Sequence, residues 1–453
     1  MMRKRRGAIG SVLLASLLLS LISPTAHAGT VTSSNADASG LCTQTIDQVS
    51  SVTVNRFGND CVILFGRVGT TIWSVPAGVS KIAVLVVAGG GGGGFDVAGG
   101  GGAGGLLYYG SENPKTPNGE SLTVTSGNLS VAVGGGGAGA TSTSTPLGSD
   151  ATGRGGNGSD SVVTLPSGTV ITAKGGGGGN SRNNTSTAQT GGSGGGGGYG
   201  NGTPTAGGSG TGSGLTLQGY GGGRITNGNG GGAGGGGAGA VGANWDGTSD
   251  TGGGGNGLQY SISGTATYYG GGGGGGSWAA KGGPGGLGGG GAGGSMSAAT
   301  CRANCTNDTA AQTGSAGLAN TGGGGGGSGN ATNSSPAGAG GSGVVIIRYS
   351  MILTTTASIS IAGGSLIYRI AKNISVTTSA AGKVDFKANG KYIGACRNIA
   401  STAGNSYTAI CAYRPSARGQ VNISAVFKPS DTGFIGASAI LPAVIVLNRA
   451  GNR

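Results

Sequence analysis

Polyglycine is the feature that most constrains how this chain can fold. Of the 114 glycines, 8 precede residue 89 and 10 follow residue 343, which leaves 96 in the stretch between them. A polyglycine tract has no side chains to bury, and ordering glycine costs more backbone entropy than ordering any other residue. Hydrophobic burial therefore cannot fold these tracts. A collagen triple helix is excluded as well, because the glycines do not fall at every third position and the chain has only 12 prolines.

Two states remain open for the tracts. They could stay flexible, as linkers do. Alternatively, they could lie side by side as polyproline-II-type segments, because the missing Cβ allows close approach, and main-chain hydrogen bonds and Cα–H contacts can replace side-chain packing. Strand-like pieces interleave with the tracts, and this interleaving favours the ordered state.

The interleaved pieces predict β-strands. Residues 81–88 (KIAVLVVA) are almost continuously apolar, which indicates a buried strand, and they run directly into glycines 89–94. Many other pieces alternate apolar residues with Thr or Ser, which is the pattern of a half-buried strand. The predicted strands of this region are residues 61–65, 71–76, 81–88, 106–109, 122–124, 129–133, 162–165, 169–173, 215–217 and 344–349.

The first 28 residues predict a secretory signal peptide. A basic head at residues 3–6 precedes an apolar run at residues 12–22 and the small-residue site Ala26-His27-Ala28. The apolar run is about half of the roughly 20 residues that cross a bilayer, so an uncleaved anchor is the weaker interpretation. Cleavage after Ala28 would export a chain that begins with a polar leader at residues 29–50 and has no predicted transmembrane segment.

Cleavage would also remove His27, which is the only histidine. The exported chain would then lack the commonest general base and metal ligand, and a Ser-His-Asp triad could not be completed. G-x-G-x-x-G runs arise by chance in so much glycine, and no G-K-[ST] follows them, so they predict no nucleotide site. The sequence predicts no cofactor and no metal site.

Paired carboxylates could still hydrolyse a glycosidic bond without histidine. A secreted, carboxylate-dependent glycoside hydrolase therefore stays open as a minor alternative. We expect Asp246 and Asp250 to cap a turn rather than to form a loose calcium site. The candidate carboxylates are Asp96, Glu112, Glu120, Asp150, Asp160, Asp246 and Asp250.

The six cysteines predict disulfides, because an even count in an exported chain is typical of a disulfide framework. A zinc site at Cys301 and Cys305 would lack two further ligands. Pairing of nearest neighbours along the chain predicts the disulfides Cys42–Cys61, Cys301–Cys305 and Cys396–Cys411.

Charge divides the chain at the same place as composition. Residues 29–350 carry 11 basic and 11 acidic side chains, whereas residues 351–453 carry 11 basic and 2 acidic ones, a net charge of +9. An exported basic segment could bind anionic wall polymers or surface glycans; the alternative is that its lysines only keep a small domain soluble. No specific nucleic acid is predicted, and the oligomeric state stays open. The basic binding candidates are Lys383, Lys387, Lys391 and Arg397.

Aromatic side chains stand among the glycines, where few other side chains can cover them. Exposed, they would form rigid contact surfaces for sugars or proteins; alternatively, they face inward and fill the apolar gaps between glycine layers. The aromatic binding candidates are Tyr108, Tyr109, Tyr220, Trp245, Tyr268, Tyr269 and Trp278.

Two motifs bound the glycine-rich region. Residues 73–79 read W-S-V-P-A-G-V, and residues 341–349 read G-S-G-V-V-I-I-R-Y. With the strand that enters polyglycine between them, they resemble the edges of the glycine-rich domain of bacterial surface proteins and phage tail-fibre adhesins. The resemblance implies a rigid, extracellular, adhesive module that performs no reaction.

The last 103 residues have ordinary composition and evenly spaced strand patterns. Asn389-Gly390 lies between residues 384–388 and 391–393, which is a strong hairpin signal. Further strands are predicted at residues 406–413, 421–427 and 438–447, and together they indicate a β-sandwich. Residues 382–390 and 419–429 resemble the bacterial Ig-like repeat domain; by that resemblance Cys396 and Cys411 would join neighbouring strands.

The sequence thus predicts an all-β protein with a glycine-rich β/polyproline-II module at residues 51–350, followed by an Ig-like β-sandwich at residues 351–453. The predicted role is non-enzymatic, structural or adhesive, at the cell surface or outside the cell. An ice-binding protein built from polyproline-II-type helices is the first alternative, although the lack of a strict three-residue period counts against it. The hydrolase is the second.

Overall fold

The protein is all-β. The computed structural model describes residues 29–31, 42, 44–47, 52–113, 119–141, 153–182, 184, 186–200, 206–212, 217–226, 230–247, 252–278, 281–295, 312–329, 335–351, 353–401, 407–430 and 434–448. These residues form 25 strands and no α-helix, which confirms the predicted fold class. The described part of the chain contains no helical segment capable of spanning a bilayer.

Fourteen strands belong to the glycine-rich body, residues 29–351. They are β1 (Gly29–Val31), β2 (Gln44–Ile46), β3 (Val52–Phe57), β4 (Asp60–Phe65), β5 (Gly69–Val75), β6 (Lys81–Val87), β7 (Leu106–Tyr109), β8 (Leu122–Thr123), β9 (Gly127–Val133), β10 (Ser161–Thr164), β11 (Val170–Ala173), β12 (Leu258–Tyr260), β13 (Thr267–Tyr269) and β14 (Val344–Ser350).

The body contains two sheets packed face to face. The first has the order β1-β2-β5-β9-β10-β11, and the second has the order β3-β4-β14-β6-β7, with β8 beside β6. Apolar side chains of both sheets form one core, to which Trp73, Leu129 and Val163 contribute from the first sheet and Ile63 and Val345 from the second. Cys42, just before β2, is bonded to Cys61 on β4, so this predicted disulfide ties the two sheets together.

The second sheet is buried on both faces. Its outer face carries Leu85, Leu106 and Ile346, and the hairpin β12–β13 covers it with Tyr260 and Tyr269. Because successive side chains of a strand point to opposite faces, every residue of such a strand faces one of two apolar cores. This explains why β6 is apolar almost without interruption, and it confirms the predicted buried strand.

A buried glutamine joins the two motifs that bound the glycine-rich region. Gln44 is fully buried; its amide oxygen accepts a hydrogen bond from Trp73 Nε1 at 2.9 Å, and its amide nitrogen donates to the Tyr349 hydroxyl. The Trp73 and Tyr349 rings lie 5.6 Å apart. Burial raises the pKa of Tyr349 well above its usual value, so the hydroxyl stays protonated. Part of the predicted polar leader is therefore a strand of the first sheet that reaches into the core.

The glycine tracts continue the strands. Gly89–Gly94 follows β6, and each of its six N–H groups donates to a main-chain oxygen at 2.8–3.0 Å. Successive N–H groups donate to three different neighbouring tracts in turn, so residues three positions apart donate to the same tract. The six bonds join Gly89 to Ser159, Gly90 to Gly341, Gly91 to Gly102, Gly92 to Gly156, Gly93 to Gly338 and Gly94 to Gly99.

Three further tracts donate N–H groups to the carbonyl oxygens of the same segment and also pack against its Cα–H side. A Cβ added to any of its six glycines would lie 2.0–2.2 Å from a main-chain oxygen of residues 135–138, 323–326 or 177–180, again in rotation. Partner numbers rise along these three tracts and fall along the three that accept hydrogen bonds, so the first set is parallel and the second antiparallel. Gly89–Gly94 is thus the centre of an ordered bundle with six described neighbours, and the linker alternative is wrong for this segment.

The C-terminal module, residues 353–448, is a separate sandwich. One sheet has the order β16-β18-β22; the other has the order β17-β25-β23-β19-β20, with β21 beside β19. Its strands are β15 (Leu353–Thr354), β16 (Ala357–Ile361), β17 (Leu366–Ile367), β18 (Lys372–Thr378), β19 (Gly382–Ala388), β20 (Lys391–Tyr392), β21 (Ile399–Ser401), β22 (Tyr407–Tyr413), β23 (Gly419–Pro429), β24 (Phe434–Ile435) and β25 (Ala437–Leu447).

The module's disulfide differs from the expected arrangement. Cys396 is bonded to Cys411, as nearest-neighbour pairing predicts. However, Cys396 lies in the connection after β20, while Cys411 lies on β22 of the other sheet, so the bond links the two layers instead of neighbouring strands. Both cysteines are buried in the module's core, which explains the crossing. Cys301 and Cys305 lie outside the described residues, as do two of the three residues predicted as a strand at 215–217.

Gly92→Ala should destabilise the body strongly. The added methyl would meet the Ala138 carbonyl oxygen at 2.0 Å. Overpacking typically costs about 1–3 kcal/mol, and a main-chain carbonyl cannot move aside as a side chain can, so we expect a loss of about 3 kcal/mol or more. Urea unfolding followed by tryptophan fluorescence measures this change, since all three tryptophans lie in the body.

Gly135→Ala is the matched control, because its methyl would meet Val68 Cγ1 at an ordinary 3.5 Å. We expect its free energy of unfolding to stay within about 1 kcal/mol of the wild type. Equal losses for both variants would contradict the packing described for the central tract.

Gln44→Leu should also destabilise the body, by about 2–4 kcal/mol, because it leaves the Trp73 indole N–H and the Tyr349 hydroxyl buried without their partner. The same unfolding measurement applies. Gln259→Leu, at an exposed position on β12, controls for the change in side-chain polarity and should be nearly neutral. A neutral Gln44→Leu would show that the two sheets do not depend on this bridge.

Candidate functional site: a cationic–aromatic band on the C-terminal module

The site begins at the hairpin β19–β20. Asn389 and Gly390 have φ values of 47° and 78°. Two consecutive positive φ values are those of a type I′ turn, which asparagine and glycine adopt readily. The turn fixes the register, so Lys387 lies directly opposite Tyr392 and Ala388 opposite Lys391. The hairpin signal in the sequence is confirmed.

Tyr392 lies between two cations. Lys387 Nζ is 4.7 Å from the centre of its ring, and Arg397 Cζ is 4.5 Å from the same centre. Both distances are within the range of a cation–π interaction. The tyrosine side chain is 48% exposed, so the edge of this stack faces solvent. Two of the four predicted basic residues are thereby brought together.

Asp385 anchors the same face of β19. It is buried, and its carboxylate accepts hydrogen bonds from Lys428 Nζ and from the Asn398 N–H, both at 2.8 Å. The hydrogen bond from Lys428 lowers the pKa of Asp385, against the opposing effect of burial. Lys383, exposed on the same face, lies opposite Lys428 in the register of β19 and β23. The carboxylate therefore holds one of several closely spaced cations.

A groove of about 370 Å³ continues the surface beyond Tyr392. Lys391, Tyr392, Tyr413 and Arg418 line it, and none of the residues lining it is acidic. Arg418 Cζ lies 4.9 Å from the centre of the Tyr368 ring. The lining thus combines two cations with two half-exposed or exposed aromatic rings.

The far side of the groove repeats the motif of the hairpin. Arg369 Cζ lies 5.2 Å from the Tyr368 ring that Arg418 also contacts. Arg414 Nε donates to the Arg369 carbonyl oxygen at 2.7 Å, so Arg414 adds a third guanidinium group to those of Arg369 and Arg418. We call the whole surface the cationic–aromatic band; its members are Tyr368, Arg369, Lys387, Lys391, Tyr392, Arg397, Tyr413, Arg414 and Arg418.

Sequence reasoning missed six members of the band, which supply all its aromatic rings and three of its guanidinium groups: Tyr368, Arg369, Tyr392, Tyr413, Arg414 and Arg418. Tyr392 could have been identified from the sequence, because a two-residue Asn-Gly turn places it opposite Lys387. The contact between Tyr368 and Arg418 joins residues 50 positions apart in different strands' connections, and no local pattern indicates it.

The aromatic candidates of the body divide into two groups. Tyr108 and Tyr269 are buried between the second sheet and the hairpin β12–β13, and Trp245 is buried in a small cluster with Ile225 and Ala233. The interpretation of these three as contact surfaces is therefore wrong. Tyr109 is half-buried against the main core. Tyr220, Tyr268 and Trp278 are exposed.

The carboxylate candidates of the body are also dispersed. Asp160 pairs with Lys174 at 2.8 Å, and buried Asp96 pairs with Arg182 at 3.4 Å. Glu112 accepts a hydrogen bond from the Ser261 N–H at 2.6 Å. Asp150 and Asp250 lie outside the described residues, while Glu120 and Asp246 each have a partner. Within the described ranges, no three residues of the types that hold metal ions come together.

The comparisons with known proteins concern the body above all. A family described as a glycine-rich domain matches residues 66–350. A solved structure titled "Structures of Clostridium thermocellum CbhA fibronectin(III)-like modules" is 16% identical, with a TM-score of 0.14, and covers 20% of this chain and 98% of that chain. So low a TM-score carries no argument about this protein. No curated protein matches the sequence.

Acid should loosen the hairpin of the site through Asp385. Its pKa is lowered in the folded protein, so its contribution to stability is complete above the unfolded value of about 4 and is lost as the pH falls through the folded value. Residues 351–453 contain one other acidic side chain, Asp431, so few groups compete for the effect. We expect faster hydrogen exchange in β19 and β23 below about pH 4, measured by mass spectrometry.

The control is Asp385→Asn, which cannot titrate. At neutral pH its β19 and β23 should already exchange faster than those of the wild type, and lowering the pH should change their intrinsic-rate-corrected protection little. An equal acid response in both proteins would show that Asp385 does not stabilise this face.

Proposed function

Because the chain belongs to the glycine-rich domain family through residues 66–350, we propose that it is an extracellular, non-enzymatic protein with a structural or adhesive role. The body is the rigid structural unit, and the C-terminal module binds anionic polymers of a cell wall or acidic surface glycans. The cationic–aromatic band is the observation that carries this proposal.

The chemistry of the band suits a ligand with repeated negative charges. Six cations, Arg369, Lys387, Lys391, Arg397, Arg414 and Arg418, are spread over the hairpin and both sides of the groove. Guanidinium groups pair bidentately with carboxylates and phosphates. A polymer with one such group on each repeat can engage several cations at once, whereas a single small anion would engage one or two.

The aromatic rings add a preference for sugars between the charges. Tyr413 and the exposed edge of Tyr392 line the groove beside Lys391 and Arg418. Tyrosine supplies contact area at low conformational cost and keeps a polar tip in water. A glycan or a sugar-containing wall polymer can therefore pack its sugar rings against the tyrosines and place its anionic groups on the cations.

Export supports the same role. The disulfides Cys42–Cys61 and Cys396–Cys411 are typical of an oxidising compartment, and residues 1–28 predict a secretory signal. Retention at a surface would then rest on binding by the C-terminal module.

The body fits a rigid spacer. The contacts of Gly89–Gly94 repeat every three residues, which is the repeat of a polyproline-II helix, and we assign its tracts to that type. The N–H groups of this central tract are bonded to three different segments of main chain, so the tract cannot move alone. Ice binding and carboxylate-dependent hydrolysis stay predictions from the sequence.

The test is binding of the exported chain, residues 29–453, to isolated bacterial cell walls between about 0.05 and 0.5 M NaCl. Because several cations displace counterions from the polymer, we expect affinity to fall by about tenfold or more across the series. The triple variant Lys387→Ala, Arg397→Ala, Arg418→Ala should bind only at background level even at low salt.

The control variant Arg67→Ala, Arg224→Ala, Lys281→Ala removes the same charge from the body. It should bind as the wild type does. Salt-independent binding, or equal losses for both triple variants, would overturn the assignment of the band as the binding surface.

A further inference from the structure

A second groove lies in the body, at one end of the second sheet. It has a volume of about 620 Å³ and is formed where β4 and β6 begin and β7 and β14 end, opposite the turn of the hairpin β12–β13. This volume is typical of a pocket for a small ligand. The groove shares no residue with the cationic–aromatic band.

Charged side chains hold the walls of this groove in place. Glu112 Oε2 accepts a hydrogen bond from the Ser261 N–H at 2.6 Å, and Arg348 Nη1 donates to the Ser261 carbonyl oxygen at 3.5 Å. Arg348 is in turn paired with Asp60 at 2.8 Å, and the Ser350 hydroxyl also donates to Asp60. The hairpin turn is therefore fixed against the sheet from both sides, and the groove is preorganised.

Several polar groups of the groove are left for a ligand. Among the described residues, the Lys81 ammonium and the hydroxyls of Ser111 and Ser121 have no hydrogen-bond partner. Glu112 Oε1 has one long contact, 3.5 Å from the Tyr108 hydroxyl. A carboxylate can accept about four hydrogen bonds, so Glu112 keeps room for more. The groove thus presents donors and an acceptor side by side.

The charges of the groove cancel. Lys81 and Arg348 are balanced by Asp60 and Glu112, and apolar Ile82, Ala83 and Ile262 make up part of the lining. Sugar rings have matching properties, with apolar C–H faces and neighbouring hydroxyls that donate to a carboxylate while accepting from an ammonium. An anionic ligand would gain no net electrostatic attraction here, because Glu112 offsets Lys81. We propose that this groove binds an uncharged sugar unit of a glycan, with Lys81 and Glu112 contacting its hydroxyls.

This site is independent of the proposed binding of anionic polymers, and salt separates the two. Hydrogen bonds to an uncharged ligand release no counterions, so binding in the groove persists at about 0.5 M NaCl, where the band is screened. Absence of binding at one of the two sites would therefore not contradict the proposal for the other.

The experiment is isothermal titration calorimetry of the exported chain at about 0.5 M NaCl with three uncharged hexasaccharides, maltohexaose, mannohexaose and chitohexaose, as probes. We expect at least one to bind with a Kd below about 1 mM. Lys81→Ala should weaken that binding about tenfold or more, since a polar group of the ligand loses its partner. Lys81 has no described contact to lose, so the variant should fold normally.

Two further variants sharpen the result. Glu112→Gln keeps the side chain's shape and one acceptor but removes its charge, and it should weaken binding as well. Lys383→Ala, an exposed lysine of the C-terminal module, should bind the probe unchanged. Absence of binding by all three probes up to about 10 mM, or wild-type affinity in both Lys81→Ala and Glu112→Gln, would overturn the proposal.

Discussion

The body depends on main-chain hydrogen bonds between tracts that have no Cβ atoms. In a sheet, a strand forms hydrogen bonds to two neighbouring strands, and its side chains project from the two faces to pack against other layers. Gly89–Gly94 instead forms main-chain hydrogen bonds to six tracts, donating to three through its N–H groups and accepting from three through its carbonyl oxygens, because no side chain projects from the backbone. Packing that ordinarily requires apolar side chains is achieved here by backbone alone. The ordering entropy of glycine is then offset by bonds and contacts on every side of the tract.

The register of the glycine bundle depends on the two-sheet sandwich of the body. A bundle of bare backbone has no side chains to select its register, whereas the sandwich has large buried ones that do. Since β6, β9 and β14 run directly into or out of tracts, the register of the sheets sets where each tract begins. Gln44 strengthens that selection, because its amide can satisfy Trp73 and Tyr349 only when both sheets are aligned. The two motifs that bound the glycine-rich region in the sequence therefore meet in the core.

Local patterns in the sequence were sufficient for much of this architecture. The apolar run of β6, the alternating strands and the Asn389-Gly390 turn all depend on near neighbours, and each is present in the structure. What depends on long-range contact could not be predicted in this way. Tyr108 and Tyr269 lie among glycines, yet they are covered by a hairpin and a sheet edge that residue spacing does not indicate. The band likewise gathers Tyr368 and Arg418 from separate connections. Gln44 gives no signal at all, because a single polar residue in a polar segment has no period.

The position of β14 has a consequence for how the protein is made. This strand is central in the second sheet, between β4 and β6, and yet it is built from the last residues of the body. β4 can pair with β3, and β6 with β7, but each lacks its second neighbouring strand until residue 350 is available. The N–H of Gly90 likewise has its acceptor only once Gly341 is available. The body therefore cannot be completed before its last strand has been made. Its closure depends on contacts between residues far apart in the sequence, which makes the body slow to fold, and under the export proposed above this delay suits passage as an extended polypeptide.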